Sequence, residues 1–130
     1  MDMLQTETRA KAKRILVVED ECITAMSLKS NLMTIGYEVP AIVDTGEDAI
    51  RNAAELHPDL ILMDIKLNGL MSGIEAAAEI RKVCTIPIIY FSAHTDAEIR
   101  AKTAATEPFG HLPKSSSIDT IRRTLETALS

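Results

Sequence analysis

The stretch Ile15-Leu16-Val17-Val18-Glu19-Asp20-Glu21 joins four consecutive apolar residues to three consecutive carboxylates. A short, β-branched apolar run of this kind is typical of a strand buried on both faces. The carboxylates then stand at the carboxyl end of that strand, which is where open parallel sheets bind their ligands. This stretch therefore predicts a parallel sheet and an acidic site at its edge.

The rest of the chain continues an alternation of strands and helices. Further strands are predicted at residues 39–43, 60–63, 87–91 and 110–112. Pro40 would cost a hydrogen bond in a central strand, so the second strand is expected at an edge of the sheet. Strands that alternate with helices form βαβ units with right-handed crossovers, which predicts an α/β domain of three layers.

Helices are predicted from apolar residues at spacings of three and four and from capping signals. Ser72 with Glu75, and Thr95 with Glu98, match the capping box, and Ser117 is expected to cap the last helix. The inward faces are predicted to carry Ala25, Leu28, Leu32 and Ile35 in the first helix, Ile74, Ala77, Ile80 and Cys84 in the third, and Ile118, Ile121, Leu125 and Ala128 in the last.

Length and composition favour one soluble globular domain. The chain has 130 residues, of which 46% are hydrophobic and 25% are charged, and this is the usual balance for such a domain. Residues 1–12 are polar and aperiodic and are predicted to be a flexible lead-in to a domain at 13–130.

No apolar run approaches the ~18 residues of a membrane span. The N-terminus lacks the features of a signal peptide, so we expect a cytoplasmic protein with no membrane insertion.

The charge and the aromatic content argue against direct nucleic-acid binding. The formal net charge is −5, and the chain has two Tyr, two Phe and no Trp. A net acidic surface repels phosphate backbones, and so few aromatic residues make a poor platform for stacked bases. Cys22 and Cys84 lie far apart in the sequence and are predicted to be free, buried thiols.

Charged or hydroxyl residues directly follow four of the five predicted strands. They are Glu19 and Asp20 after the first strand, Asp64 after the third, Ser92 after the fourth and Lys114 after the fifth. Any one of these residues, taken alone, can serve as a helix cap, a turn residue or a solvated side chain. Their occurrence together at one edge of the sheet is much more specific.

The three carboxylates predict a cation site. At ~4 Å and an effective dielectric constant of ~20, each pair of like charges costs about 4 kcal/mol before screening. Such a cluster needs a bound cation or raised pKa values. Oxygen ligands without His or Cys select magnesium or calcium, and a site with open positions suits magnesium, which shares a substrate phosphate. Asp64 can then act as a nucleophile towards phosphorus, with Lys114 as a positive charge and Ser92 as a hydrogen-bond donor.

These motifs, in this order and spacing, resemble the receiver domain of two-component response regulators. The matching segments are residues 15–21, 58–65, 73–75, 86–93 and 112–114. The resemblance covers about residues 13–129. It implies a single, doubly wound, flavodoxin-like sheet in the order 2-1-3-4-5 with five helices.

The resemblance also implies roles for individual residues. Asp64 would accept a phosphoryl group from a histidine kinase or a histidine phosphotransfer protein. Magnesium would be held by Asp20, Asp64 and the backbone carbonyl of Lys66, with Glu19 acting through water. Ser92 and Lys114 would contact the phosphoryl group, and Ser92 would move on activation. Such a domain is a phosphoacceptor that supports its own phosphoryl transfer and slow self-dephosphorylation, and it is not counted as an enzyme.

The chain departs from the family pattern at two positions near Lys114. His111 stands at the switch position, where the family usually has Tyr or Phe, and the alternative is that it is only a surface residue. Ser115 follows the lysine where the family usually has Pro in a cis bond. A trans bond is expected here, because a non-proline cis bond costs ~3 kcal/mol.

Two further residues are candidates for control of the phosphoryl lifetime. Lys66 and His94 lie two residues after Asp64 and Ser92, respectively, where the family's architecture places the approach of the hydrolytic water. Both are bulky and can carry positive charge, so they are predicted to slow self-dephosphorylation. The alternative is that both side chains point into solvent.

Three other functions compete with this interpretation. A flavodoxin-like electron carrier needs a hydroxyl- and glycine-rich phosphate loop, and the carboxylates at residues 19–21 would repel a flavin phosphate. A haloacid-dehalogenase-type phosphatase needs a second Asp two residues after the nucleophile, where this chain has Lys66. A receiver-like module that is never phosphorylated would lack site residues that are all present here.

The sequence leaves the surroundings of this domain open. It names neither the kinase nor the output, and pairing of two copies through a helix face stays open. We expect either a stand-alone receiver or the receiver part of a longer regulator or hybrid kinase.

Overall fold

Five strands form one parallel sheet in the computed structural model, which describes residues 11–93 and 96–130. In chain order they are β1 (Ile15–Val18), β2 (Ile42–Val43), β3 (Leu60–Met63), β4 (Ile88–Ser92) and β5 (Gly110–Pro113). The spatial order is β2-β1-β3-β4-β5, and all four neighbouring pairs are parallel. The predicted strand order is therefore confirmed.

Helices cover both faces of the sheet. Within the described ranges there are five α-helices, namely α1 (Cys22–Thr34), α2 (Gly46–Leu56), α3 (Gly73–Val83), α4 (Ala97–Thr103) and α5 (Ile118–Leu129), and a 3-10 turn (Ala104–Thr106) extends α4. Apolar residues of α2, α3 and α4 pack on one face, and those of α1 and α5 pack on the other. This is the predicted doubly wound α/β architecture. None of the helices in these ranges is both long enough and apolar enough to cross a membrane.

The two cores explain why the central strands are apolar at every position. All four residues of β1 are buried, as are all four of β3. Successive side chains of a strand point to opposite faces, so Leu16 and Val18 enter the α2–α3 core while Ile15 and Val17 enter the α1–α5 core. A strand covered on both faces has no position at which a polar side chain reaches water.

The second strand is shorter than the sequence suggested. It was expected over residues 39–43, but only Ile42–Val43 is a strand. Its predicted edge position is confirmed. Pro40 has no N–H to donate, which is a physical reason for the late start of the ladder.

Two of the predicted helix caps are confirmed and one is wrong. Ser72 and Glu75 form the capping box of α3, and the hydroxyl of Ser117 caps α5. Helix α4 is capped by Asp96, whose carboxylate accepts the N–H of Ile99 at 3.1 Å. The cap therefore lies one residue after the predicted position. The predicted residue, Thr95, lies outside the described residues.

Some burial predictions also need correction. Ile118 was expected to face inward but is 39% exposed, because it begins α5 one turn ahead of the buried Ile121. Cys22 and Cys84 are free thiols, as predicted, but Cys22 is exposed and Cys84 is half-buried. Cys22 is the first residue of α1, and the packed face of that helix begins three residues later at Ala25.

Candidate functional site

The carboxyl edge of the sheet carries a cleft of about 290 Å³ lined by residues from four strand ends. Asp20, Asp64, Ser92 and Lys114 all line it, and Lys66 lies at its rim with an exposed side chain. The structure thus brings together the residues that the sequence predicted to meet. His94 was predicted to flank the same cleft, but it lies outside the described residues.

Backbone hydrogen bonds set the positions of the residues at this edge. The N–H of Asp64 donates to the carbonyl of Val18 at 2.9 Å, which extends the β1–β3 ladder by one step. The N–H of Lys114 donates to the carbonyl of Ser92 at 2.9 Å and does the same for β4 and β5. Asp64 and Lys114 are therefore positioned by the sheet itself.

Glu19, Asp20 and Asp64 form a compact carboxylate cluster. One oxygen from each side chain lies within 4.8 Å of the others. Glu19 is 2% exposed and Asp64 is 6% exposed, whereas Asp20 is half-buried. Like charges held this close, with little water, repel each other strongly unless a cation lies among them.

The Lys114 ammonium partly compensates this repulsion. Its Nζ lies 2.7 Å from Oε1 of Glu19 and 3.0 Å from Oδ2 of Asp64. Partial burial lowers the pKa of Lys114, but the hydrogen bonds and charges of Glu19 and Asp64 outweigh this and raise the pKa above its usual value. Lys114 therefore stays protonated at neutral pH, and its stabilising contribution is lost only as the pH rises through that raised pKa.

The donor set of the cluster fits a hard divalent cation. Three carboxylates and one lysine leave an excess of negative charge, and among these residues the site offers oxygen ligands without sulfur or imidazole. Magnesium takes such ligands in small number and retains waters in its remaining positions. Glu19, Asp20 and Asp64 are the side chains that could hold it.

Gly73 supports the site in a way that the sequence interpretation missed. Its N–H donates to the carbonyl of Ile65 at 2.7 Å, and a Cβ at this position would lie 1.8 Å from the carbonyl oxygen of Asp64. The first turn of α3 therefore rests directly on the backbone of the candidate acceptor. The available signal was a glycine immediately after the N-cap Ser72, where other residues favour the helix more.

His111, the residue at the predicted switch position, points inward. It is half-buried on β5, its ring stacks on Tyr90 with centroids 5.5 Å apart, and its Nε2 lies 2.7 Å from Oγ1 of Thr103. The alternative of a simple surface residue is therefore wrong. The part played by Tyr90 and Thr103 was not apparent from the sequence, because neither lies at a strand end.

The peptide bond between Lys114 and Ser115 is trans, as predicted. Among the described residues no peptide bond is cis. The turn beyond it is closed by Ser116, whose N–H and hydroxyl both donate to the carbonyl of Pro113, at 3.0 and 2.7 Å.

Comparison with known proteins identifies the family. The sequence model of the response regulator receiver domain matches residues 15–126. The chain therefore belongs to the response regulator receiver domain family. It is 33% identical over 122 residues to the transcriptional regulatory protein PdtaR of Mycobacterium tuberculosis, which covers 93% of this chain and 58% of PdtaR. It is also 38% identical over 103 residues to KdpE of the same organism, covering 74% of this chain and 45% of KdpE.

Solved structures show the same fold. The signal receiver domain of a modulated diguanylate cyclase from Desulfovibrio desulfuricans is 37% identical, with a TM-score of 0.84 and coverage of 92% of this chain and 94% of that one. The receiver domain of a sensor histidine kinase from Pseudomonas aeruginosa is 28% identical, with a TM-score of 0.83 and coverage of 91% and 98%. That structure has a magnesium ion coordinated in its active-site cleft. The chain spans about half the length of the regulators PdtaR and KdpE.

The close approach of Gly73 to Asp64 can be tested by Gly73→Ala. The added Cβ must displace the backbone of Asp64, so we expect the unfolding free energy to fall by about 1–3 kcal/mol. Gly110→Ala is the matched control, because a Cβ there meets nothing within 4 Å and the backbone φ is ordinary. Urea denaturation of both variants measures the difference. Equal stability of the two variants would contradict the proposed contact.

Proposed function

We propose that the protein is a phosphoacceptor signalling domain that takes a phosphoryl group onto Asp64 from a histidine kinase or a histidine phosphotransfer protein. The observation that carries this proposal is the setting of Asp64. It ends the central strand, it is 6% exposed in the cleft, and it lies between an ammonium at 3.0 Å and two further carboxylates. Glu19 has the same ammonium and carboxylate neighbours, but it does not line the cleft, whereas Asp64 does.

The chemistry assigned to the site is an in-line displacement. An oxygen of Asp64 attacks the phosphorus of a phosphohistidine, the new P–O bond forms as the P–N bond breaks, and the electron pair of the P–N bond stays on the imidazole nitrogen. Lys114, already within 3.0 Å of the acceptor carboxylate, neutralises charge on the transferring oxygens, and Ser92 donates its hydroxyl to them. Magnesium, held by Asp20, Asp64 and the carbonyl of Lys66, with Glu19 acting through water, would supply the remaining charge neutralisation.

The relatives support this proposal. The magnesium ion in the receiver domain of the Pseudomonas aeruginosa sensor histidine kinase favours magnesium as the cofactor here. The relatives PdtaR and KdpE are transcriptional regulatory proteins. A cytoplasmic location follows from partnership with a histidine kinase, and the net charge of −5 argues against direct contact with nucleic acid.

The finer roles extend the same proposal. Residues 13–130 form the receiver, and residues 1–12, mostly outside the described ranges, form its lead-in. Ser92 and His111 are the switch residues that turn phosphorylation into a changed partner-binding face. The domain supports its own phosphoryl transfer and slow dephosphorylation without acting as a turnover enzyme.

Asp64→Asn tests the acceptor. The amide lacks the nucleophilic carboxylate, so incubation with acetyl phosphate and magnesium should add no phosphoryl group to the variant, whereas the wild type should gain one that is labile to base and hydroxylamine. Intact-mass spectrometry measures both. Asp44→Asn, which changes an exposed carboxylate after β2, is the control and should be phosphorylated like the wild type. An equal mass gain in Asp64→Asn would refute the assignment, because the phosphoryl group would then lie on another residue. No mass gain in the wild type would instead leave a module that binds partners without this chemistry.

The carboxylate cluster predicts that magnesium stabilises the fold. At one hundred times its dissociation constant, a bound ion should add about 2.7 kcal/mol to the unfolding free energy. Asp20→Asn should lose most of that gain and should be more stable than the wild type without metal, because repulsion within the cluster falls. Thermal unfolding with and without magnesium measures both effects, with Asp44→Asn as the control. If the wild type shows no magnesium-dependent shift, the cluster is not a metal site.

Lys66 and His94 are proposed to prolong the phosphorylated state. The exposed Lys66 side chain lies at the rim of the cleft, from which it can reach a phosphoryl group on Asp64 and obstruct the attacking water. An exposed ionic contact of about 0.5–1 kcal/mol corresponds to decay about two to five times faster in Lys66→Ala. Decay of the phosphorylated protein is measured for Lys66→Ala, His94→Ala and the control Lys29→Ala, which changes an exposed lysine of α1. Identical decay in all of them would remove both residues from this role.

A further inference from the structure

The loop between β3 and α3 contacts the start of α2 on its way from the cleft to its helix. Lys66, near the beginning of the loop, lines the cleft. Two residues later, Asn68 forms a single parallel bridge with Thr45, the N-cap residue of α2. Met71 then lies against Gly46, the first residue of that helix. The loop is therefore supported by α2 as well as by the ends of β3 and α3.

The contact between Gly46 and Met71 leaves no room for a side chain on the glycine. A Cβ at position 46 would lie 2.9 Å from Cγ of Met71 and 3.1 Å from both its Cβ and its Sδ. A change of rotamer moves Cγ and Sδ but leaves the methionine Cβ in place, so the loop itself would have to shift. The φ of Gly46 lies outside the left-handed region. Glycine is therefore needed at this position for space and not for conformation.

Gly69 lets the loop turn between its two contacts with α2. Its φ is +89°, a conformation that L side chains rarely adopt. A Cβ there would lie 3.4 Å from Oε1 of Glu47 and 3.7 Å from Cγ2 of Thr45, so the turn rests beside the first turn of α2. Leu70 is 97% exposed, whereas Met71 is half-buried and packs on the α2–α3 core. The turn thus directs Met71, and not Leu70, onto α2.

Lys66 lies between two anchors of this loop. On one side the N–H of Asp64 completes the β1–β3 ladder, and on the other side Asn68 is bridged to Thr45. One residue separates Lys66 from each anchor, a distance of two Cα–Cα steps of about 3.8 Å. Thr45 and Gly46 are adjacent, so a shift of the loop away from Gly46 also strains the bridge. The position of the Lys66 carbonyl therefore depends on the support from α2.

We propose that Gly46 and Met71 are positioning residues for the magnesium site, because their contact holds the loop with the Lys66 carbonyl towards the carboxylate cluster. This inference rests on the proposed function, which assigns that carbonyl to magnesium. It goes beyond the assignment by making the affinity for magnesium depend on α2, a helix that supplies no ligand to the site.

The affinity for magnesium tests this role. Gly46→Ala places a methyl group where Met71 lies, and Met71→Ala removes the side chain that rests on Gly46. Each variant should raise the dissociation constant for magnesium about tenfold, the low end of the effect of changing a group that orients a metal ligand. The constant is measured on the unphosphorylated full chain by titration with magnesium chloride, followed by backbone amide chemical shifts. Unchanged constants in both variants would overturn the proposal.

A double variant shows whether the two residues act through one contact. Once the Met71 side chain is gone, the methyl group of Gly46→Ala no longer has to displace it. Gly46→Ala/Met71→Ala should therefore bind magnesium no more weakly than Met71→Ala alone. Met71→Leu keeps an apolar side chain of similar volume and should stay within about twofold of the wild type. Losses of affinity that multiply in the double variant would overturn the proposed contact.

Two controls distinguish positioning from a general loss of stability. Ile15→Val trims a fully buried side chain at the opposite end of β1 from Glu19, so it weakens the core without touching the loop. Gly110→Ala adds a methyl group that meets nothing within 4 Å. Both should bind magnesium like the wild type, and thermal unfolding without metal measures the stability of every variant. A tenfold loss of affinity in Ile15→Val would assign the effect to stability and overturn the proposal.

The wild type separates failure of this inference from failure of the proposed function. If the wild type binds magnesium and both single variants bind it equally well, the magnesium site stands and the positioning role of Gly46 and Met71 is wrong. If magnesium shifts no amide of the cleft in the wild type, the magnesium site itself is refuted, and the positioning role is refuted with it.

Discussion

The contact on which this site depends is the one between the Lys114 ammonium and the carboxylates of Glu19 and Asp64. It joins the ends of β1, β3 and β5, with 2.7 Å and 3.0 Å between the charged atoms. Glu19 and Asp64 are nearly inaccessible to water, so without a cation their repulsion would oppose the parallel alignment of β1 and β3. When Asp20 is included, the lysine neutralises one of three carboxylate charges. The remaining negative charge makes the site suitable for a divalent cation.

The backbone around Asp64 is constrained as tightly as its charge. Its N–H completes the ladder to Val18, and its carbonyl faces the first turn of α3 at Gly73 with no room for a side chain between them. The capping box of Ser72 and Glu75 fixes where that helix begins. The loop between β3 and α3 therefore has both ends anchored, and the acceptor is held from two sides.

Side-chain hydrogen bonds, and not backbone contacts, connect the end of α4 to β4 and β5. Helix α4 is short, and its C-terminal end meets the sheet through hydrogen bonds of Thr103 and Thr106 to His111 and Tyr90. His111 stands at the proposed switch position, where the family usually has Tyr or Phe. It adds a hydrogen bond that phenylalanine lacks and a titration that neither phenylalanine nor tyrosine has near neutral pH.

Local sequence patterns were sufficient for the three-layer α/β class and for the residues that meet at the cleft, whereas the strand order was inferred from the resemblance to receiver domains. The β1 run and its carboxylates, the alternation of strands and helices, and the polar residue after each of four strands are local patterns. Because parallel strands share one carboxyl edge, those patterns determine which residues come together. Patterns within the sequence also placed the Ser72 capping box and the edge position of β2.

Other features were decided only by tertiary contacts. The exposure of Ile118 depends on how α5 meets its neighbours, which periodicity does not encode. The clearance at Gly73 and the inward position of His111 depend on distances between segments far apart in the chain. Thr103 has the pattern of an ordinary helix residue in the sequence, and it becomes a buried hydrogen-bond partner of His111 because the end of α4 meets β5. Local residue patterns determine which elements form, whereas hydrogen-bond partners across elements are determined by how those elements pack.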